Sequence, residues 1–129
     1  MVYEEKGTTK AQLLIIEDNH ICQQIYLAIL GNYYHIELAE TAAEALECLS
    51  KKVYHCIILD LGLPDTSGIE VLSSTRNNAL NKATPIIIIS AHMSNDIKQI
   101  CLQLGANEVY TKPIDSVLLR HVIENFLGA

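Results

Sequence analysis

The chain has 129 residues, 50% of them hydrophobic and 19% charged, with a net charge of −6. That length and composition fit one globular domain and exclude a disordered chain. No apolar stretch approaches the roughly 18 residues of a membrane span, and an acidic chain lacks the clustered Lys and Arg that phosphate backbones require. Neither membrane insertion nor direct DNA binding is therefore expected.

Residues 1–10 (MVYEEKGTTK) are polar, without an apolar signal core, and read as a flexible segment or linker. Residues 11–129 read as the folded domain. Leu13–Glu17 is a short branched apolar run, predicted as a strand. Asp18 or Asn19 caps a helix reaching to about Leu30, with Ile21, Ile25, Ala28 and Ile29 at helical spacing and Gly31-Asn32 ending it. His35–Ala39 is a second, less apolar strand. Thr41 with Glu44 three residues later has capping-box spacing, and the helix that follows places Ala42, Ala45, Leu46 and Leu49 on one face.

Cys56–Asp60 is the third strand. Ser67 or Gly68 opens a helix carrying Ile69, Val71 and Leu72, which fades at Arg76-Asn77-Asn78. Pro85–Ser90 is the fourth strand, with Pro first, where a missing N–H costs least. Ser94-Asn95-Asp96 caps a helix with Ile97, Ile100, Cys101 and Leu104, stopped by Gly105. Glu108–Thr111 is the fifth strand. Asp115 or Ser116 starts the last helix, 116–127, with Val117, Leu118, Val122, Ile123 and Phe126 facing inward.

Five βα units with short connections imply a parallel sheet covered by helices on both faces. The Ile-rich strands 1, 3 and 4 should be central, because only strands buried on both faces can be apolar throughout. The order 2-1-3-4-5 satisfies this and the right-handed crossover rule. It is the order of flavodoxin-like domains, so the expected fold is a (βα)5 three-layer sandwich.

Four cysteines (Cys22, Cys48, Cys56, Cys101) lie far apart with no C-x-x-C pair. They read as packed, reduced thiols in a cytoplasmic protein rather than as zinc ligands. The histidines form no metal-binding pattern.

Open α/β sheets bind ligands outside the carboxyl ends of their strands. Four strands here end in polar groups: Glu17-Asp18, Asp60, Ser90 and Lys112. Three converging carboxylates repel one another unless a cation sits between them, and hard oxygen ligands favour Mg²⁺. A cation, a carboxylate nucleophile, a Lys and a hydroxyl together suit phosphoryl transfer onto Asp60. Taken singly, each residue has a plainer reading as a turn former or helix cap. Their joint occurrence at the ends of different strands carries the functional reading.

From about Gln12 to Leu127 the chain resembles a response-regulator receiver domain. The matching segments are Leu13-Leu14-Ile15-Ile16-Glu17-Asp18-Asn19, Glu44-Ala45-Leu46, Leu59-Asp60-Leu61-Gly62-Leu63-Pro64-Asp65, Gly68, Pro85-Ile86-Ile87-Ile88-Ile89-Ser90-Ala91, Gly105-Ala106 and Lys112-Pro113. The wording after Asp60 is similar to receivers of hybrid histidine kinases, so the parent protein could be one. The resemblance implies that Asp60 accepts a phosphoryl group from a histidine kinase or histidine phosphotransfer domain. Asp18 would bind Mg²⁺ directly and Glu17 through water, with Asp60 and the Gly62 backbone carbonyl as further ligands, and Mn²⁺ could substitute. Ser90 and Lys112 would contact phosphoryl oxygens, and the Lys112–Pro113 bond would be cis. Such a module is a signalling phosphoacceptor rather than an enzyme, limited to self-phosphorylation from small donors and self-dephosphorylation. Its partner surface, including a homodimer contact, would lie on the 94–127 face.

Val109 occupies the position where the family usually carries its switch aromatic. Tyr110, one residue later, is expected on the opposite face of the strand, packed inward and unavailable for an aromatic flip. Gly62 offers no side chain to shield an acyl phosphate, and His92 is expected at the surface. The alternative reading is an interaction-only receiver-like module, which would be marked by a missing site residue; none is missing. A phosphohydrolase would need a second acid where Gly62 stands. A dinucleotide-binding domain would need a Gly-rich turn where Glu17-Asp18-Asn19-His20 stands.

Overall fold

Strand and helix alternate strictly along residues 10–128, which the computed structural model describes. The expected linker therefore falls, except for Lys10, outside the described residues. The elements are β1 (Gln12–Ile16), α1 (His20–Leu30), β2 (His35–Ala39), α2 (Ala42–Lys51), β3 (Cys56–Leu59), α3 (Gly68–Arg76), β4 (Ile86–Ser90), α4 (Asn95–Gln103), β5 (Glu108–Thr111) and α5 (Ser116–Leu127). The five strands form one parallel sheet in the order β2-β1-β3-β4-β5. All residues of β3 and β4 are buried, as their unbroken apolar runs require of strands covered on both faces.

Side-chain alternation splits the core into two layers. Leu14, Ile16, Ile57, Leu59, Ile86, Ile88 and Val109 pack beneath α2, α3 and α4. Leu13, Ile15, Cys56, Ile58, Ile87 and Ile89 pack beneath α1 and α5 with Tyr26, Leu30, Leu119 and Ile123. This is the expected three-layer sandwich. In-register pairing sets Ile16 beside Leu59, Leu59 beside Ile88, and Ser90 beside Thr111. The residues just beyond these positions therefore emerge along one edge of the sheet.

Each helix starts at a side-chain cap that satisfies a free N–H. Asn19 accepts from Cys22, Thr41 from Glu44, Ser67 from Ile69, Ser94 from Ile97 and Asp115 from Leu118. The Glu44 carboxylate reaches back to the N–H of Glu40, one residue before the cap, rather than to Thr41.

Helix phase departs from expectation in several places. In α1 the buried residues are Gln23, Tyr26 and Leu30, whereas Ile21 is 73% exposed, Ile25 51%, and Ala28 also faces solvent. The helix is apolar nearly all round, so spacing alone allows two overlapping stripes. The Asn19 cap and the polar contacts of Gln23 select the one built on Tyr26. In α5, Leu119 is buried in place of Val117 and Leu118, both exposed. In α4 only Cys101 is fully buried, and Ile100 and Leu104 are exposed; Leu46 of α2 is exposed as well. All four thiols are free, and Cys56 and Cys101 are buried.

At the opposite edge from the strands' carboxyl ends, one fully buried amide joins three segments. Asn81 donates to the carbonyls of Leu49 and Lys52 and accepts from the Tyr54 N–H and the Thr84 hydroxyl. Arg76 fans its guanidinium over the carbonyls of Lys82, Thr84 and Gly105 and the Asn107 side chain. Gly105 adopts a φ of 109°, and a Cβ there would meet Arg76 at 2.9 Å, so this position needs glycine. On the edge strand, Glu37 accepts from Lys52 Nζ and the Tyr54 hydroxyl, each at 2.5 Å.

Two outcomes follow for stability. Asn81→Ala leaves several buried polar groups unpaired and should cost about 2–4 kcal/mol in urea denaturation. The Lys52 and Tyr54 hydrogen bonds hold the Glu37 carboxyl below its usual range. Its contribution is therefore present above the ordinary glutamate pKa and is lost as pH falls through the depressed value. Glu37→Gln should lose about 1 kcal/mol at neutral pH and flatten the rise of stability with pH on the acid side, measured by denaturation at stepped pH.

Candidate functional site

The backbone ladder continues past the strand ends and fixes the edge residues. The Glu17 N–H donates to the Ala39 carbonyl, Asp60 to Ile16 and Lys112 to Ser90, at 2.9, 3.0 and 2.9 Å. Side chains from four strand ends thereby meet in one cleft. Lys112 Nζ lies 2.7 Å from Glu17 Oε1 and 3.2 Å from Asp60 Oδ2. The Ser90 hydroxyl donates to Asp60 Oδ1 at 2.8 Å, and the Gly62 N–H faces the same oxygen at 3.3 Å. Carboxylate oxygens of Glu17, Asp18 and Asp60 lie within 4.8 Å of one another. Glu17 is 1% exposed and Asp60 7%, while Asp18 faces solvent.

The two buried acids differ in their balance of forces. Burial works against the charge on Asp60, but the Ser90 and Gly62 hydrogen bonds and the Lys112 ammonium outweigh it and hold the carboxyl below its ordinary value. Burial dominates at Glu17, assisted by the nearby Asp60 charge, and raises its carboxyl despite Lys112 and the Asn19 N–H. Burial acts against the Lys112 charge, yet its two carboxylate partners raise its pKa well above the usual lysine range. Asp60 is thus held as an anion while its neighbour resists ionising. Lys112 is the single cation contacting these acids among the described residues, so the cluster retains negative charge. That surplus, from oxygen donors alone, fits a hard divalent cation.

All five side chains expected at the site are brought together here, and Gly62 stands at its rim. The Lys112–Pro113 bond is cis. His92 is exposed beside Ala91, also as expected. Gly68 is required where the chain turns into α3, because a Cβ there would lie 2.5 Å from the Asp60 carbonyl. Tyr110 packs half-buried on the α1/α5 side and donates to Glu108, whereas Val109 is buried on the α4 side. The one-residue offset therefore does place the aromatic on the other face of β5.

Sequence reasoning missed Gln23. Its buried side-chain amide donates to the Glu17 carbonyl at 2.7 Å and to Glu40 Oε2 at 3.1 Å, holding the turn that carries both acids. A polar residue in the buried phase of α1 was the available signal, but the expected phase placed Gln23 outside. Cys22 also borders the site, with its sulfur 3.6 Å from Lys112 Nζ.

A family model described as the response regulator receiver domain matches residues 13–124. The chain is 37% identical over 103 residues to the transcriptional regulatory protein PmrA of Pectobacterium parmentieri, covering 79% of this chain and 46% of that protein. It is 32% identical over 116 residues to the autoinducer 2 sensor kinase/phosphatase LuxQ of Vibrio harveyi, covering 89% of this chain and 13% of LuxQ. The chain thus spans less than half the length of either relative. The receiver domain of the sensor histidine kinase PA1611 from Pseudomonas aeruginosa shares the fold, with a TM-score of 0.85 at 24% identity over 94% of this chain and all of that one. That structure holds a magnesium ion in its active-site cleft. With the topology, the carboxylate cluster and the family match in agreement, the chain belongs to the response regulator receiver domain family of two-component signalling.

Proposed function

We propose that this domain accepts a phosphoryl group on Asp60 from a phosphohistidine in a histidine kinase or histidine phosphotransfer domain. The observation that carries this reading is the state of Asp60: a nearly buried carboxylate held ionised while Ser90 and Lys112 donate to its two oxygens. One Asp60 oxygen attacks phosphorus, and the bond from phosphorus to the donor's imidazole nitrogen breaks, leaving its electron pair on nitrogen. Ser90 and Lys112, which now serve the carboxylate, are the donors that the phosphoryl oxygens would take over. Preorganised donors of this kind stabilise the transferring group.

Asp18 and Asp60, with the Gly62 carbonyl and with Glu17 acting through water, would hold Mg²⁺, or Mn²⁺ in its place. The ion would supply positive charge to the phosphoryl oxygens. Glu17 and Lys112 set the field around it, and Gln23 holds the turn.

The donor would approach over α1. Ile21 and Ile25 project apolar side chains into solvent next to the acidic turn. Ile25, Cys22, Tyr26 and Ile29 form a groove with Pro113 and Ile114 whose wall includes Lys112. That continuity with the cleft is what favours a phosphohistidine-bearing domain as occupant. The exposed Ile100, Leu104, Val117 and Leu118 support an output or homodimer contact on the 94–127 face. Transmission by a swinging aromatic is not part of this reading, because Tyr110 lies on the far side of β5. No helix among the described residues is long and apolar enough to cross a membrane, and a kinase-coupled receiver would work in the cytoplasm.

Incubation with acetyl phosphate and Mg²⁺, read by intact mass, should add one phosphoryl group to the wild type and none to Asp60→Ala. Absence of an adduct on the wild type would favour an interaction-only module. Glu17→Gln keeps the length of the side chain and removes its charge. The variant should bind Mg²⁺ roughly tenfold more weakly than wild type, as read by calorimetric titration.

A further inference from the structure

The segment from Leu61 to Ser67, between the phosphoacceptor and α3, is largely exposed from Gly62 onward. Its two ends are joined by the Gly62–Ser67 bridge and by the Gly68 N–H on the Leu61 carbonyl at 2.8 Å. Leu61 and Leu63 tuck partly against the core beneath α2 and α3. The exposed tip, Pro64 to Thr66, has one further anchor. Asp65 Oδ1 accepts from the Ala42 N–H at 2.9 Å, and Oδ2 accepts from the Ala43 N–H at 3.0 Å. These are first-turn amides of α2, which have no partner within their own helix. The contact spans more than twenty residues of sequence and joins the tip to a different element. Among the described residues, no other side chain from 61–67 hydrogen-bonds outside its own loop or helix.

Thr41 already caps α2 through the Glu44 N–H, so Asp65 adds a second acceptor to an end that has one. The beneficiary is the loop. An exposed seven-residue loop retains backbone freedom unless it is tied down, and a ligand group must be held within a fraction of an ångström to bind tightly. The carboxylate's charge is matched by the positive end of the α2 dipole, and its pKa is held low by the two N–H groups. The tie is thus a charge-assisted, two-pronged hydrogen bond.

We infer that Asp65 is a positioning residue for the phosphoacceptor site: by clamping the 61–67 loop to the α2 N-terminus, it fixes the Gly62 backbone beside Asp60 for cation binding. This rests on the Mg²⁺-dependent phosphoacceptor reading given above. Asp65 touches neither the acids nor the transferred group, and it acts only through the loop.

The test is calorimetric titration of the full chain with Mg²⁺, without a phosphodonor. Asp65→Asn loses the charge and one of the two acceptors and should weaken Mg²⁺ binding about tenfold, the lower end for groups that orient metal ligands. Thr41→Ala removes the other cap from the same helix end without touching the loop, and should bind Mg²⁺ within about twofold of wild type. Ala42→Pro deletes one donor from the α2 side with Asp65 intact, at the helix position where proline is best tolerated. It should weaken binding in the same direction as Asp65→Asn. Circular dichroism reports whether each variant is folded. The inference is overturned if Asp65→Asn and Ala42→Pro bind Mg²⁺ like the wild type, or if Thr41→Ala weakens binding equally, which would make Asp65 only a helix cap. A wild-type chain that binds no Mg²⁺ would instead bring down the phosphoacceptor reading itself.

Discussion

One ammonium group set against three carboxylates organises the functional edge of this domain. Lys112 bridges Glu17 and Asp60 from the end of β5, and Asp18 completes the acid cluster at the surface. The charges do not cancel. Packing carboxylates this closely opposes folding unless the rest of the structure holds them in place. The sheet does so through ladder bonds that run one residue past the strand ends and through two apolar layers that leave the edge little freedom to relax.

The same imbalance explains why Glu17 and Asp60 differ although both are buried. Asp60 collects a hydroxyl, a backbone N–H and the ammonium, whereas at Glu17 burial outweighs the bonds from Lys112 and the Asn19 N–H, and the Asp60 charge adds to it. Neighbouring carboxyls pushed in opposite directions can take different chemical roles. In the phosphoacceptor role proposed above, Asp60 would have to be ionised before a donor arrives, and its hydrogen bonds favour that state. The cation proposed for this cleft would relieve the repulsion among these carboxylates when bound.

Support for the site extends well beyond the side chains that face the cleft. Gln23 pins the turn carrying the acids, and Gly68 lets α3 begin directly against the Asp60 carbonyl. Far from the cleft, Asn81 and Arg76 knit together the loops entering β3, β4 and β5. By contrast, α4 is fastened by a single fully buried residue, Cys101. Ile97 of α4 packs partly against the same core, while the Tyr110 hydroxyl is engaged by Glu108 on the other face of β5.

Much of this was written locally in the sequence. Unbroken Ile-rich runs marked the strands buried on both faces, and turn residues closed them. Cap residues located each helix start, because a free N–H must find an acceptor nearby in the chain. The acids, serine and lysine at the strand ends could be named because parallel strands deliver their carboxyl ends to one edge. The offset between Val109 and Tyr110 was likewise legible from strand alternation alone. Other features depended on distant partners. The spacing of α1 allowed Ile21 and Ile25 to face inward, and only docking against the sheet, with Gln23 meeting Glu17 and Glu40, turned them to solvent. Asp65 could not be connected to Ala42 and Ala43 by any local pattern. Nor could the opposed pKa shifts of Glu17 and Asp60 be read from residue types, since burial and hydrogen-bond geometry are properties of the folded chain. Local chemistry determined which residues could do the work, and tertiary packing decided which faces were exposed and how each charge was held.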